Sequence, residues 1–375
     1  MSRIQRDGPF SFAWFMEQAL YHPEFGYYSS GKAKLGRKGD YFTNISVGAM
    51  FGRLLAAQLA EIWQTLGRPD QFTIVEQGAH EGELARDILT ALTASSSECF
   101  ERVRYLIVEP FRVLRDRQRQ SLTRFADRVM WCPSLEAVEP FVGVHFSNEL
   151  LDAFPVHLVC RGRVSATDSE PQWLEKFVDW SGDIFTFVER PIADSTLQQQ
   201  LQSFPALPDG YGVEFSQAAL DWIDLLSTKL QRGYILAVDY GYLQDDLVEQ
   251  AQGSGRLQCR AQHQLIDSPL DRIGECDITA HVNWTSVAAR AREQKFEIAG
   301  FTDQHHFLTG IISEHPGLAT GKNPSSRRQL QTLLHPEMMG RSFQVLGLSR
   351  GVDAGARLSG FKFARTAHQE LGLTE

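Results

Sequence analysis

The chain opens with helical periodicity. Phe12, Phe15, Met16 and Leu20 recur at three- and four-residue spacing, Ser11 is placed to cap them, and Pro23 ends the stretch. Residues 26–44 (GYYSSGKAKLGRKGDYFTN) break the pattern and read as a glycine-rich loop. Ser46 is then expected to cap a longer helix through Met50, Phe51, Leu54, Leu55, Leu59, Ile62, Trp63 and Leu66, closed by Gly67 and Pro69. From residue 71 short apolar runs alternate with amphipathic ones. Strands are predicted at residues 72–75, 105–108, 129–131, 144–146 and 234–238, and a helix at 83–92 burying Leu84, Ile88, Leu89 and Leu92. Such alternation predicts an α/β fold, a parallel sheet with helices on both faces.

The alternation is interrupted between residues 160 and 233. Strand-like runs at 173–178 and 184–188 flank Ser181-Gly182-Asp183 and read as a hairpin. A Pro/Gly-rich linker (204–212) and a helix at 218–230 follow. A polar stretch covers 243–278, then a helix near 285–294 and strands at 296–301 and 343–348. The tail beyond Arg365 is polar and expected to fray. The expected organisation is an N-terminal helical region with its glycine-rich loop (1–67), the first half of an α/β core (68–160), an insertion of hairpin and helix (161–232), the second half of the core carrying the polar stretch (233–365), and the tail (366–375).

Composition narrows the classes. At ~150 residues per domain, 375 residues allow two to three domains or one α/β domain with insertions. The 43% apolar content and 24 Phe supply a large core, which excludes a disordered chain or a disulfide-stapled miniprotein. A net charge of −9 argues against duplex-DNA binding, so no nucleic-acid partner is expected. The five cysteines stand far apart with no CxxC pair; no metal site is expected, and reduced, buried thiols are. No apolar run approaches the ~18–20 residues that cross a bilayer, and the first twenty residues lack an apolar segment with a small-residue cleavage site. A soluble cytoplasmic protein with no membrane partner is the expectation; composition does not give the oligomeric state.

Three strand ends carry candidate chemistry. In FTIVEQGAHEGELARDIL a strand ends in Glu76, and Gly78 and Gly82 bracket the turn into a helix. Ligands of open α/β sheets sit beyond the C-terminal strand ends, and glycine there lets the backbone approach them. The dinucleotide fingerprint G-x-G-x-x-G is absent, and Glu81 and Glu83 place negative charge where a pyrophosphate would sit, which disfavours NAD-type chemistry. The next strand ends in Glu109 (YLIVEP), an acid placed to accept both hydroxyls of a ribose. In SNELLDAFP, Glu149 and Asp152 follow a strand three residues apart; in a turn of helix they would share a cleft, and otherwise they are solvated acids of an ordinary junction. Asp239-Tyr240-Gly241, Asp277, Thr279 and His281 are weaker polar candidates. GLATGK (317–322) lacks P-loop spacing, and Lys32, Lys34, Arg37 and Lys38 read as a solvated basic loop.

These runs occur in order over nearly the whole chain, together with GPFSFAWFMEQALYHPEFGYY (8–28), GDYFTNISVGAMFG (39–52), LAVDYGY (236–242), CDITAHVNW (276–284) and MMGRSFQVLGL (338–348). Taken together, the sequence resembles the MidA-like methyltransferase family. The resemblance implies a class I, Rossmann-like parallel sheet with an N-terminal helical region and an inserted hairpin and helix. It implies S-adenosyl-L-methionine as cofactor and protein arginine N-methylation, with a respiratory complex I-type subunit as a candidate substrate. By position, the family's E-x-G-x-G-x-G falls on Glu76, Gly78, His80 and Gly82, its ribose acid on Glu109, its N-E-x-x-D on Asn148, Glu149 and Asp152, and its G-D on Gly39 and Asp40. The resemblance therefore assigns Glu76, Gly78, His80, Gly82, Glu109 and Asn148 to the cofactor and Gly39 and Asp40 to a substrate or cofactor loop. Glu149 and Asp152 are the catalytic candidates, two carboxylates able to hold a guanidinium.

Two departures stand near the expected cofactor. His80 replaces the middle glycine of the turn, with Gln77 and Ala79 where the family has an aliphatic residue and proline, and T-S-P-E has become Thr43-Asn44-Ile45-Ser46. A methyltransferase-fold assembly factor without the reaction is therefore the alternative, and an NAD-type oxidoreductase the remoter one.

Overall fold

The computed structural model describes residues 1–31, 43–163, 170–202, 204–205, 207–249, 256–261, 264–319, 323–353 and 355–373. Seven strands form the body of the central sheet: β1 (Phe72–Gln77), β2 (Val103–Val108), β3 (Val129–Cys132), β4 (Phe141–Asn148), β5 (Leu230–Tyr242), β6 (Glu297–Asp303) and β7 (Phe343–Arg350). Their order is β3-β2-β1-β4-β5-β7-β6, and the short strand Val282–Asn283 extends the end of β5 in parallel. All neighbours from β3 to β5 are parallel; β7 runs antiparallel to both β5 and β6. The α/β fold with a mostly parallel sheet is thus as expected. Almost every residue of β1 and β4 is buried, because helices cover both faces. Leu54, Leu59, Ile88 and Phe307 pack on one face, and Trp222, Ile223 and Val287 on the other. Strand order reverses between β1 and β4, and the crevice at such a reversal is where open α/β sheets take their ligands.

A second apolar cluster lies outside the sheet. Ser11 caps the helix Phe12–Tyr21 by accepting from Trp14 N–H at 3.3 Å. The buried stripe of that helix packs with Leu158, with Val178 of the insertion and with Cys259, Cys276 and Ile278 of the polar stretch. The hairpin forms as read: Gln172–Ser181 pairs antiparallel with Ile184–Pro191. It joins His157–Gly162, Gly212–Phe215 and Phe10–Ser11 in a second sheet. This layer is tied to the loop after β4. The Tyr21 hydroxyl donates to the Ala153 carbonyl and Ala280 N–H to the Asp152 carbonyl, each at 2.8 Å.

The structure corrects two local expectations. Ser46 does not cap the long helix, which starts at Met50 after a short 3-10 turn; the Ser46 hydroxyl bonds Thr43 instead, at 2.9 Å. The tail does not fray over its described part: Ala367–Glu370 is helical and delivers Leu371, fully buried, to the cluster holding Phe296 and Phe301. Ala367 and Leu373 pack beside it, so a few apolar side chains anchor a segment whose composition read as polar. The five cysteines are buried and free.

Candidate active site

β1 runs into a turn, Gly78 to Gly82, that starts the helix Glu83–Ser95. Gly78 (φ 83°), His80 (φ 43°) and Gly82 (φ 81°) all take left-handed backbone. Such a backbone suits glycine, and a side chain carried there costs roughly 1–2 kcal/mol. His80 therefore keeps the conformation a glycine would have and adds an imidazole. That imidazole lines a cleft of about 900 Å³, and both its ring nitrogens are buried with no hydrogen-bond partner among the described residues. Nδ1 stands 4.0 Å from Glu83, and the imidazole holds that carboxyl below its ordinary value.

The cleft opens beyond β1, β2 and β4. Glu109, the first residue after β2, lines it and is buried. Its carboxylate accepts from Phe111 N–H at 2.9 Å and from Gln118 Nε2 at 3.0 Å. Gln118 is clamped in turn, donating to the His80 carbonyl at 2.8 Å and accepting from Trp131 Nε1 at 2.9 Å. Burial pushes the Glu109 carboxyl up to about 7, against those hydrogen bonds. Phe111, Leu114, Pro133 and Leu135 give the cleft an apolar wall beside this acid.

β4 ends in Asn148, and Glu149 then turns the chain with φ 55°, left-handed for a non-glycine residue. The segment is no turn of helix. Leu150, Leu151 and Asp152 aim their N–H groups at Asp239 Oδ2, at 3.0, 2.8 and 3.3 Å, while Tyr240 N–H donates to Oδ1 at 2.8 Å. Asp239 thus holds the loop by its backbone. Glu149 Oε1 accepts from Asn148 Nδ2 at 2.7 Å and Asn44 N–H at 3.2 Å, and Asn44 Nδ2 donates to Asn148 Oδ1 at 3.0 Å. The second departure from the family pattern therefore supplies Asn44, fully buried, as a support for the acid.

A second cavity of about 560 Å³ lies behind Glu149. Glu149 and Tyr28 line both cavities, so they form the wall between them. Asp152, Asp277, Tyr240 and His281 line only the second. Tyr28 donates to Asp277 Oδ1 at 2.6 Å. Burial, then Asp239, pushes Glu149 up to about 8. Asp152 is raised well above the usual carboxylate range by burial and by Asp239, Asp277 and Glu149. Four carboxyl groups around one wall suit a cation.

The sequence-predicted residues separate accordingly. Gly78, His80, Glu109, Asn148 and Glu149 line the cleft; Glu149 and Asp152 line the second cavity. Glu76 does not line the cleft: it is buried and accepts from the Tyr105 hydroxyl at 2.8 Å, with burial raising it to about 7. Neighbouring strand positions face opposite sides, and it is Gln77, the last residue of β1, that lines the cleft. Gly82 is also off the lining; a Cβ there would lie 3.2 Å from Leu122, so its role is to let the helix pack. Gly39 and Asp40 fall outside the described residues, as do Lys32, Lys34, Arg37 and Lys38. Sequence reasoning missed Tyr28, Asn44 and Gln118, which act through contacts 249, 105 and 38 positions away.

Residues 54–302 match the family model described as "Putative S-adenosyl-L-methionine-dependent methyltransferase". The chain belongs to this family. It is an S-adenosyl-L-methionine-dependent methyltransferase family, and S-adenosyl-L-methionine is the cofactor. Among curated relatives, protein arginine methyltransferase NDUFAF7 of Danio rerio is 28% identical, with 92% of this chain and 85% of the relative covered. The Homo sapiens protein of that name is 27% identical over 98% and 86%, and the Drosophila melanogaster homologue 26% over 94% and 84%. A crystal structure from Burkholderia thailandensis, bound to S-adenosyl-homocysteine, superposes with a TM-score of 0.85 at 30% identity, covering 98% of this chain and 94% of that one.

The relatives also correct the expected location. All three are named as mitochondrial, so the cytoplasmic placement does not stand. It rested on the lack of a recognisable leader or membrane span, and neither lack tells one aqueous compartment from another.

The cleft fits the cofactor of this family. The buried Glu109 carboxylate suits paired hydroxyls and the apolar wall suits a purine. Glu149 closes the end of the cleft with an acid that can face a sulfonium.

Proposed function

We propose that this protein methylates the guanidinium of an arginine carried on a protein, with the cofactor in the 900 Å³ cleft and the arginine entering through the 560 Å³ cavity. The observation that carries this reading is the wall of Glu149 and Tyr28 shared by both cavities. The curated relatives named as protein arginine methyltransferases support it, and the resemblance adds a respiratory complex I-type subunit as the candidate carrier.

The cofactor supplies an electrophilic methyl group whose leaving thioether is neutral. What the protein must provide is a nucleophile. A guanidinium is charged at all working pH and its lone pairs are delocalised. Carboxylates at Glu149 and Asp152 hold it by charge-assisted hydrogen bonds and turn one nitrogen toward the cleft. As the N–C bond forms, that nitrogen sheds a proton. Burial makes the Glu149 carboxylate a better proton acceptor than a solvated one. Asn44 and Asn148 fix its orientation while this happens.

Labelled methyl transfer to an arginine-containing protein fraction, followed by acid hydrolysis and amino-acid separation, tests the reading. Label in methylarginine is expected. Label in lysine, histidine or a carboxyl ester overturns the assignment; cofactor binding with no transfer to any protein favours the silent assembly factor.

A further inference from the structure

The acid-lined cavity has a mouth of opposite sign. Arg260, on the strand Gln258–Ala261, and Arg341, just before β7, both line it and both are exposed. They come from segments about eighty residues apart, so no single local run of charge puts them together. Neither makes an ion pair among the described residues, although the chain carries 46 acids against 37 basic residues. Arg260 donates to the neutral side-chain amide oxygen of Gln258, from Nη2 at 3.1 Å and Nε at 3.3 Å. Arg256 lies over the ring of Tyr242, another wall residue, with its guanidinium carbon 5.2 Å from the centroid.

Such a mouth is poorly made for a bare cation. Two unpaired guanidiniums repel an arginine on its way in, and more so one embedded in other basic residues. The repulsion becomes attraction when the incoming segment carries a carboxylate next to the arginine. We infer that this site selects an arginine flanked by an acidic residue, with Arg260 and Arg341 pairing the flanking carboxylate while Glu149 and Asp152 take the guanidinium. The inference rests on the arginine reading above and adds to it the chemical class of the substrate segment. Glycine-arginine-rich and polybasic segments are excluded by the same charges. Rim charges of this kind act on encounter and discrimination more than on the chemical step, and salt weakens them.

The test uses three peptides of one length, each with a single central arginine flanked by aspartate, alanine or lysine. Their binding to the protein saturated with S-adenosyl-homocysteine is measured at low and moderate salt. The expected order is aspartate, alanine, lysine, with roughly three- to tenfold per step at low salt and a narrower spread as salt rises. Arg260→Glu with Arg341→Glu is expected to reverse the order, and Arg260→Gln with Arg341→Gln to flatten it. Equal binding of the three peptides, binding of none, or an order that the substitutions leave unchanged overturns the inference. Because the readout is binding, it separates from the reaction itself. Charge-ordered binding without transfer to the aspartate peptide retains the acidic-flank selection and discards the arginine-methylation reading; transfer without charge order does the reverse.

Discussion

The two cavities that meet at Glu149 are built on different principles. The cleft has apolar walls from Phe111, Leu114 and Leu135, one buried acid at Glu109, and a backbone turn made left-handed at three positions. The second cavity has few apolar residues and concentrates Glu149, Asp152 and Asp277, with Asp239 behind them. The first recognises its ligand by shape and a few hydrogen bonds, as small-molecule sites do. The second gathers carboxyl groups that burial and one another push toward their protonated forms. One wall therefore separates recognition of the cofactor from handling of a cation, and each side can be disturbed without the other.

The largest separation is expected from Asp152→Asn. It removes a charge from the second cavity alone, and losing one partner of a desolvated charged pair costs about 2–5 kcal/mol. Methyl transfer should fall at least about thirtyfold, with cofactor affinity within about threefold of the original. Equal losses in transfer and melting temperature would make Asp152 a structural acid. Glu109→Ala disturbs the other side. Removing hydrogen bonds to a charged group costs about 1.5–3 kcal/mol, so calorimetric affinity for the cofactor should drop about 10- to 150-fold. Unchanged affinity would remove Glu109 from the cleft's function.

Protons give a smaller but sharper signal. Glu149 sits at about 8 and Asp239 at about 7, against ordinary values of 4.5 and 3.8, both raised first by burial. The folded empty protein then binds more protons than the unfolded chain over the window from about pH 4 to pH 8. The stability these groups lend is full below that window and is lost as pH rises through it. A bound guanidinium favours the ionised forms, so peptide binding near pH 7 should release on the order of one proton. Calorimetry in two buffers of different ionisation enthalpy reads this; proton uptake on binding would contradict the account. The smallest effect is expected at His80→Gly. Relief of the left-handed backbone should raise stability by about 1 kcal/mol. If the orphaned imidazole serves the cofactor, affinity should fall while the melting temperature rises; a rise in both would mean that the side chain only crowds the cleft.

Much of this was legible in the sequence, for physical reasons that differ by region. Alternating apolar runs set strands and helices because burial on both sheet faces demands them, and the acids at strand ends announced themselves by position. The spacing did not show that Glu76 would be buried against the Tyr105 hydroxyl, because that contact crosses to the neighbouring strand. The pairing of Glu149 with Asp152 was visible, but its mechanism was not: Asp239 arranges the loop through three of its backbone N–H groups, and nothing in the spacing reveals that. Asn44 read as a departure, although its contact with Glu149 makes it a support. Tyr28 was invisible because its place depends on packing between the N-terminal helix and the segment carrying Asp277. Leu371 shows the same limit in miniature: composition cannot tell a frayed tail from one pinned by a few apolar side chains.

The central claim is that Glu149 serves the reaction from the wall between the cavities. Glu149→Gln keeps the size and hydrogen-bonding capacity of the side chain and removes its charge. The decisive measurement is single-turnover methyl transfer to an arginine peptide, with cofactor affinity and melting temperature determined on the same preparation. The account expects transfer to fall by about a hundredfold or more, the range for a group acting in the transition state, while the protein stays folded and binds cofactor within a few-fold. A folded, cofactor-binding variant that transfers methyl at the original rate would contradict it.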